Sequence, residues 1–413
     1  MHRIAAVTDS KKPSITLRTV ARQVLLGLVT LVALDGVLWL IYPARTPEVQ
    51  QTVEQNLPGL KPRVTYELNQ FGLRSIGMRT KEKPERTIRI LCLGASTTDQ
   101  ATQNTADTWS AILEKRLTEE FAGRGVRFEV AAYGRGGDKV FQTYHWARQN
   151  LLDFEPDLVV TLLGINDLAW HGGPTYSYDR AASLSSTGDG VIHFCRAYSQ
   201  ICRHGIRWVN QLRARMALAT GESVEWHSRN LPRLRAAYAS LKLLPEVDRD
   251  PDPIVEFSDG LDLLLAFLEE HHLATLVLAQ PALWKPDLSE EEQRALWFSI
   301  GTKAGPVRAR GDWLARELAR YNRLQAQLAE RHGAWFLDAS LPRTLDTFFD
   351  DCHFTDRGSA AMAAAIYPIL TRLVKQKLDG TRTAVNESGT NRRPSCTRRC
   401  SRCLRRRSLS RRW

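Results

Sequence analysis

Ile88-Arg89-Ile90-Leu91-Cys92-Leu93-Gly94-Ala95-Ser96-Thr97-Thr98 is a short apolar run that stops at a glycine and opens into hydroxyl residues. A run too short for a helix and closed by a turn signal predicts a buried strand over Ile88–Leu93. Ser96 then stands where the chain leaves the carboxyl end of that strand. In open α/β sheets that edge is where ligands bind. A serine there also suits the start of a helix, capping its free N–H groups, so position alone decides little.

Outward from this run, strand and helix patterns alternate. Trp109–Phe121 predicts a helix, Arg127–Ala132 a strand, Val140–Leu152 a helix and Asp157–Leu163 a strand. Leu273–Ala279 and Ala334–Leu337 are further strands. Between them Leu314, Leu318, Tyr321, Leu324 and Leu328 fall on one helical face, with Asp312 as the expected N-cap. Thr355 is the expected cap of a last helix running to about Val374. Such alternation predicts a parallel sheet covered by helices on both faces, an α/β sandwich.

The domain is expected over residues 86–378, after a Pro-rich and polar linker with some local structure over 46–85. Residues 171–250 break the alternation with aromatic and Arg-rich helical patterns, such as Ile206–Leu218 and Leu234–Leu243. They form a helical insertion after a strand's carboxyl end, either a lid over the site or a decoration without substrate contact. Residues 379–413 are rich in Arg, Ser, Thr and Cys without hydrophobic periodicity, the composition of a disordered tail.

The net charge of +12 is not spread evenly: residues 1–45 carry +4 and residues 379–413 carry +9, leaving about −1 for 46–378. The folded body is therefore not expected to bind nucleic acid. Val24–Tyr42 is a 19-residue, mainly apolar stretch, enough to cross a hydrocarbon core of about 30 Å as one helix. Lys11, Lys12, Arg18 and Arg22 precede it and only Arg45 follows closely, which places the N-terminus in the cytoplasm and the domain on the extracytoplasmic side. Asp35 opposes this, at about 2.5–3.5 kcal/mol for a carboxylate near the helix centre. A cleaved signal peptide is the alternative, although no A-x-A site follows. Both export the domain.

Seven cysteines are an odd number and not spaced as a disulfide framework. Cys92 lies in the predicted buried strand, Cys195 and Cys202 are either a local pair or structural thiols, and Cys396, Cys400 and Cys403 lack a nearby His. No metal and no cofactor are expected. The sequence also lacks Gly-x-Ser-x-Gly, His-Glu-x-x-His and Walker A motifs.

Two further elements bear on Ser96. The third strand ends in Gly164-Ile165-Asn166-Asp167, and Asp350-Asp351-Cys352-His353 precedes the last helix. A serine hydroxyl needs a base to take its proton and a carboxylate to orient that base. His353 and Asp350 suit these roles, because three-residue spacing in a tight turn brings both side chains to one side. Asp351 is the competing carboxylate. His171, after the Asn166 loop, is a candidate substrate contact, and Trp146, Trp170 and Trp284 are either sugar- or acyl-site walls or core.

The order Gly-x-Ser-Thr, Tyr133-Gly134-Arg135-Gly136-Gly137, Gly-x-Asn-Asp and Asp-x-x-His resembles the conserved blocks of the SGNH/GDSL hydrolases over residues 86–376, apart from the insertion. The resemblance implies a three-layer α/β/α sandwich with a mainly parallel, flavodoxin-like sheet. It implies Ser96 as nucleophile, with Asp350 and His353 completing a triad. Ser96, Gly137 and Asn166 are the implied oxyanion-hole donors, with Gly136 as a one-residue alternative to Gly137. The name-giving Asp and Leu are Ala95 and Thr97 here. Asn69-Gln70-Phe71-Gly72-Leu73-Arg74 also resembles a segment that precedes the domain in some membrane-anchored relatives.

The implied activity is hydrolysis of a carboxylic ester, carbohydrate O-acetyl or another acyl ester, through an acyl-serine. Acyl transfer to a cell-surface polysaccharide with the same triad is the nearest alternative, and a non-catalytic, membrane-tethered glycan-binding protein is an alternative of another class. An acylated carbohydrate or lipid is the expected substrate.

Overall fold

The computed structural model describes residues 49–169 and 226–379, with six helical residues between 26 and 34. The deciding run forms an interior strand of a five-stranded parallel sheet. Chain order is β1 (Val49–Glu54), β2 (Arg63–Leu68), β3 (Thr87–Gly94), α1 (Ser96–Asp99), α2 (Trp109–Glu120), β4 (Arg127–Gly134) and α3 (Val140–Asn150). Then follow β5 (Leu158–Leu162), α4 (Ile165–Ala169), α5 (Trp226–Ser240), β6 (Leu243–Leu244), α6 (Pro253–Glu270) and β7 (Ala274–Leu278). The rest is α7 (Glu290–Ala295), β8 (Ile300–Thr302), β9 (Gly305–Ala309), α8 (Gly311–Arg331), β10 (Trp335–Leu337) and α9 (Asp356–Asp379).

The sheet order is β10-β7-β5-β3-β4, and every pairing is parallel. This is a flavodoxin-like, doubly wound order, with β3 between the strand that follows it and the strand reached by crossing back. All eight residues of β3 are buried, as expected of an interior strand covered on both faces. Helices α2 and α9 pack together, while α3, α6 and α8 form the other group. The result is the three-layer α/β/α sandwich expected of the sequence. Each Leu or Ile sealed between layers contributes roughly 1.5–3 kcal/mol.

Arg89 interrupts the apolar run of β3 and is fully buried. Its Nε donates to Glu129 Oε2 at 2.8 Å on the neighbouring β4, and its Nη1 donates to the Phe154 carbonyl at 2.6 Å. The charge is therefore paired and its donors are spent, the condition under which a buried guanidinium is tolerated.

Residues 46–85 differ from the linker predicted for them. β1 and β2 pair in antiparallel register from Val49–Leu68 to Glu54–Arg63. The following segment docks on the sheet edge, where the Arg74 N–H and carbonyl exchange bonds with Ala132 at 2.9 and 2.8 Å. Leu73, Arg74 and Met78 are buried. Prolines and polar residues looked like linker composition; here the polar groups are consumed by docking.

Asp312 is not the N-cap of α8. That helix starts at Gly311 with Arg310 at the cap, and Asp312 is a first-turn acid paired with the Arg310 Nε at 3.1 Å. Thr355 does cap α9, its Oγ1 accepting from the Gly358 N–H at 3.0 Å, but the helix continues to Asp379. Helix α6 and the small sheet β6-β9-β8 were not anticipated.

Among the described residues no helix is long and apolar enough to cross a membrane. Most of Val24–Tyr42, including Asp35, lies outside them, as do Trp170, His171, Cys195, Cys202, Ile206–Leu218 and residues 380–413. Cys92 and Cys352 are buried free thiols.

Candidate active site

Ser96 is the first residue of α1, directly beyond the carboxyl end of β3. Two close approaches require glycine here. A Cβ on Gly94 would lie 2.6 Å from the Leu162 carbonyl oxygen, and one on Gly134 would lie 2.5 Å from the Ala95 carbonyl oxygen. The turn bearing Ser96 is thus seated between the ends of β4 and β5, at the point where the strand order reverses. Ligands of doubly wound sheets bind at that switch point.

The loop before α9 reaches the same edge. His353 Nε2 lies 2.8 Å from Ser96 Oγ, and His353 Nδ1 lies 2.8 Å from Asp350 Oδ2. Asp350 also accepts the Cys352 and His353 N–H groups at 3.0 and 2.8 Å, and the Trp297 indole N–H at 2.9 Å. The turn therefore closes around its own carboxylate, which explains how three-residue spacing brings imidazole and carboxylate to one side.

Asp351 points elsewhere. It accepts the Trp284 indole N–H at 2.9 Å and the backbone N–H groups of Trp297 and Phe298 at 2.8 and 3.1 Å. Burial, reinforced by the neighbouring Asp350 charge, pushes it up to about 7 against those donors. Its bonds bind the acid loop to the segment around Trp297. Trp284 belongs to that anchor, and Trp146 stacks on Tyr133 with centroids 4.0 Å apart, beside the core.

The predicted oxyanion donors lie on the loops flanking Ser96. Asn166 Nδ2 donates to the Asp138 carbonyl at 2.8 Å, clamping the loop after β5 to the loop after β4. An amide nitrogen carries two N–H bonds, so one serves as the clamp and the other is left for a ligand. Gly137 adopts a left-handed φ of +82°, but Gly136 is the glycine that lines the cleft over Ser96. Asp167 accepts the Val140 N–H at 3.2 Å and fastens the start of α3.

Three contributors had no motif to reveal them. Trp297 orients Asp350 across a separation of 53 residues. Arg235, on α5 of the insertion, donates to the carbonyls of Phe349 at 2.8 Å and Ala295 at 3.1 Å, and its charge faces Asp350 and Asp351. Asp99, three residues beyond Ser96, lines the cleft.

Asp350, Cys352 and His353 bring ligand-type atoms within 4.8 Å of one another. Their bonding argues against a metal there: Asp350 and His353 are spent on each other, and burial raises the Cys352 thiol to about 11, so it stays protonated.

Burial opposes charge on His353, yet Asp350 outweighs it and holds the imidazolium well above the ordinary 6.5. Below that folded value Nε2–H donates to Ser96 Oγ; above it, Nε2 accepts the serine proton. The pair's contribution to stability is complete below 6.5 and is lost as pH rises through the folded value. The rate should move oppositely. In kcat/KM against pH for p-nitrophenyl acetate, we expect a rising limb with its midpoint above 6.5; a midpoint at or below 6.5 would contradict the pairing.

A doubly wound sheet with a hydrogen-bonded Ser–His–Asp chain at its switch point has the architecture of a serine hydrolase. The chain belongs to the GDSL-like lipase/acylhydrolase family, whose model matches residues 92–361, and is an ester-cleaving enzyme. Among solved structures, the acetyl xylan esterase AlAXEase is 14% identical, covering 68% of this chain and 100% of its own, with a TM-score of 0.36. A catalytic mutant of Axe2, an acetylxylan esterase from Geobacillus stearothermophilus, is 13% identical over 70% of this chain and 95% of its own, with a TM-score of 0.37. A GDSL-like lipase from Bacteroides thetaiotaomicron VPI-5482 is 11% identical over 71% and 92%, with a TM-score of 0.34. No curated protein matches the sequence.

Proposed function

We propose that the chain hydrolyses short acyl esters of a polar, carbohydrate-like alcohol through an acyl-Ser96 intermediate. The observation that carries this is the hydrogen-bonded chain Ser96 Oγ, His353, Asp350, with 2.8 Å at each joint. His353 takes the Ser96 proton as Oγ attacks the ester carbonyl, then gives it to the departing alkoxide. Water, deprotonated by the same Nε2, attacks the acyl-serine and releases the acid, returning the proton to Ser96. Developing negative charge on the carbonyl oxygen is met by N–H groups of Ser96, Asn166 and the Gly136-Gly137 turn, each worth about 2.7–4 kcal/mol in comparable sites.

The cleft is what supports the substrate class. Thr97, Asp99, Gln100, Ala101, Thr102 and Phe354 line it with Ser96 and His353. A small cleft with Ala101 and Phe354 on its wall and the Asp99 carboxylate near Ser96 supports a short acyl chain on a hydroxylated alcohol. The apolar stretch Val24–Tyr42 supports a single N-terminal membrane anchor with the domain on the extracytoplasmic side.

The test is a series of p-nitrophenyl esters from acetyl to palmitoyl with the full chain, alone and with an unacylated polysaccharide. We expect acetyl to exceed octanoyl at least tenfold in kcat/KM, with release of free acetate. A long-chain preference would sink the carbohydrate-ester reading, and acetyl appearing on the polysaccharide would replace hydrolysis by transfer. The full chain should also stay with membranes through an alkaline carbonate wash; its release would remove the anchor.

A further inference from the structure

Asp99 lies three residues beyond Ser96, and its surroundings are unusual for a carboxylate. It is only 8% exposed, yet it lines the same cleft as Ser96 and His353. Oδ1 accepts the Tyr66 hydroxyl at 3.0 Å. Oδ2 accepts no hydrogen bond from a described residue and is not one of the sealed polar atoms, so it stays open to the cleft. An acceptor open to the cleft beside the nucleophile is placed to bond a donor on the substrate.

Arg74 stands behind it, 4.8 Å over the Tyr66 ring, but does not fill the vacancy. Its Nη1 donates to the carbonyls of Asp99 and Gln100, and its Nη2 donates to the Gln103 carbonyl at 2.7 Å. The guanidinium thus holds the backbone after Ser96 and lends Asp99 positive potential without pairing with its free oxygen. Burial raises the Asp99 carboxyl to about 6, with Arg74 and Tyr66 pulling down, so the acceptor form prevails at neutral pH.

We infer that Asp99 is a specificity-determining residue of this esterase, whose Oδ2 accepts a hydrogen bond from a free hydroxyl of the substrate's alcohol part, next to the acylated oxygen. This rests on the reading of Ser96 as the acylated nucleophile. The ligand donor must be neutral, because Arg74 already supplies a buried cation beside the carboxylate and a second one would be repelled. A hydroxyl meets that condition and an ammonium does not. The partner chemistry is a polyol or glycoside acylated on one hydroxyl with a neighbouring hydroxyl free. Tyr66 fixes the carboxylate from the β1–β2 hairpin, which gives that N-terminal segment a share in substrate choice.

The experiment compares kcat/KM for a mono-O-acetylated methyl glycoside and for cyclohexyl acetate, which keeps the ring and acetyl group but has no hydroxyl. In Asp99→Asn, which retains an oxygen for Tyr66, the glycoside-to-cyclohexyl ratio should fall about tenfold, the worth of a charge-assisted bond. In Asp99→Leu it should fall further. A ratio that stays within twofold of wild type overturns the inference, since a purely structural defect lowers both esters together and a partly unfolded sample does not alter the ratio. Binding of the same glycoside to Ser96→Ala by calorimetry gives a second arm that needs no turnover. Asp99→Asn in that background should weaken it about tenfold; equal affinity, or no binding of the glycoside at all, overturns the inference. If wild type cleaves neither ester while the binding arm shows the tenfold loss, the reading of Ser96 fails and the hydroxyl subsite stands.

Discussion

Ser96→Ala should lower kcat/KM for p-nitrophenyl acetate by about 10⁴-fold or more, equivalent to at least about 5.5 kcal/mol of transition-state stabilisation. Without Oγ no acyl-enzyme forms, and the remaining oxyanion donors act only on direct attack by water. His353 Nε2 would lose its 2.8 Å partner, while the bonds within the acid loop remain. Stability should therefore change little, and a thermal midpoint within a few degrees of wild type separates lost chemistry from lost fold. Retention of more than about one-tenth of wild-type kcat/KM, in protein free of contaminating esterase, would show that Ser96 is not the nucleophile.

Asp350→Asn should cost nearly as much, about 10⁴-fold in kcat, by a different route. The asparagine oxygen can replace Oδ1 and keep the N–H groups of Cys352 and His353. Its NH₂ would then stand where Oδ2 accepts from both His353 Nδ1 and the Trp297 indole. Donor would face donor. The neutral imidazole escapes by moving its proton to Nε2, which then presents N–H to Ser96 in place of a lone pair. Asp351→Asn leaves the His353 tautomer untouched, because Asp351 bonds Trp284 and the backbone of Trp297 and Phe298 instead. It should lose less than about tenfold in kcat. Reversal of the two effects would transfer the carboxylate role to Asp351.

The two aspartates show where sequence reading stops. Side by side before His353, they are equal in composition and nearly equal in spacing. What separates them is the path of the loop, which folds the Cys352 and His353 N–H groups back onto Asp350 and turns Asp351 toward a tryptophan 67 residues away. Gly136 and Gly137 pose the same problem one residue apart. A pattern of glycines marks a turn but does not say which residue faces the cleft. The hairpin before the domain was hidden for another reason: its strands follow proline-rich, polar composition, and their burial depends on the segment after Ser96, where Tyr66 meets Asp99 and the Thr65 N–H meets Asn104.

By itself the sequence determined the sandwich, because strands such as Ile88–Leu93 and helices such as Trp109–Glu120 announce themselves through local periodicity. It also determined that Ser96 and Asn166 follow strand ends and that His353 precedes the last helix, since glycines and caps punctuate those elements within a few residues. Only the tertiary structure decided that these segments meet, with His353 on Ser96 across 257 residues, Arg235 on the acid loop and Asp99 in the cleft. Local patterns record which backbone states a segment prefers. Contacts over such separations are set by the winding order of the sheet, which no short window of residues contains.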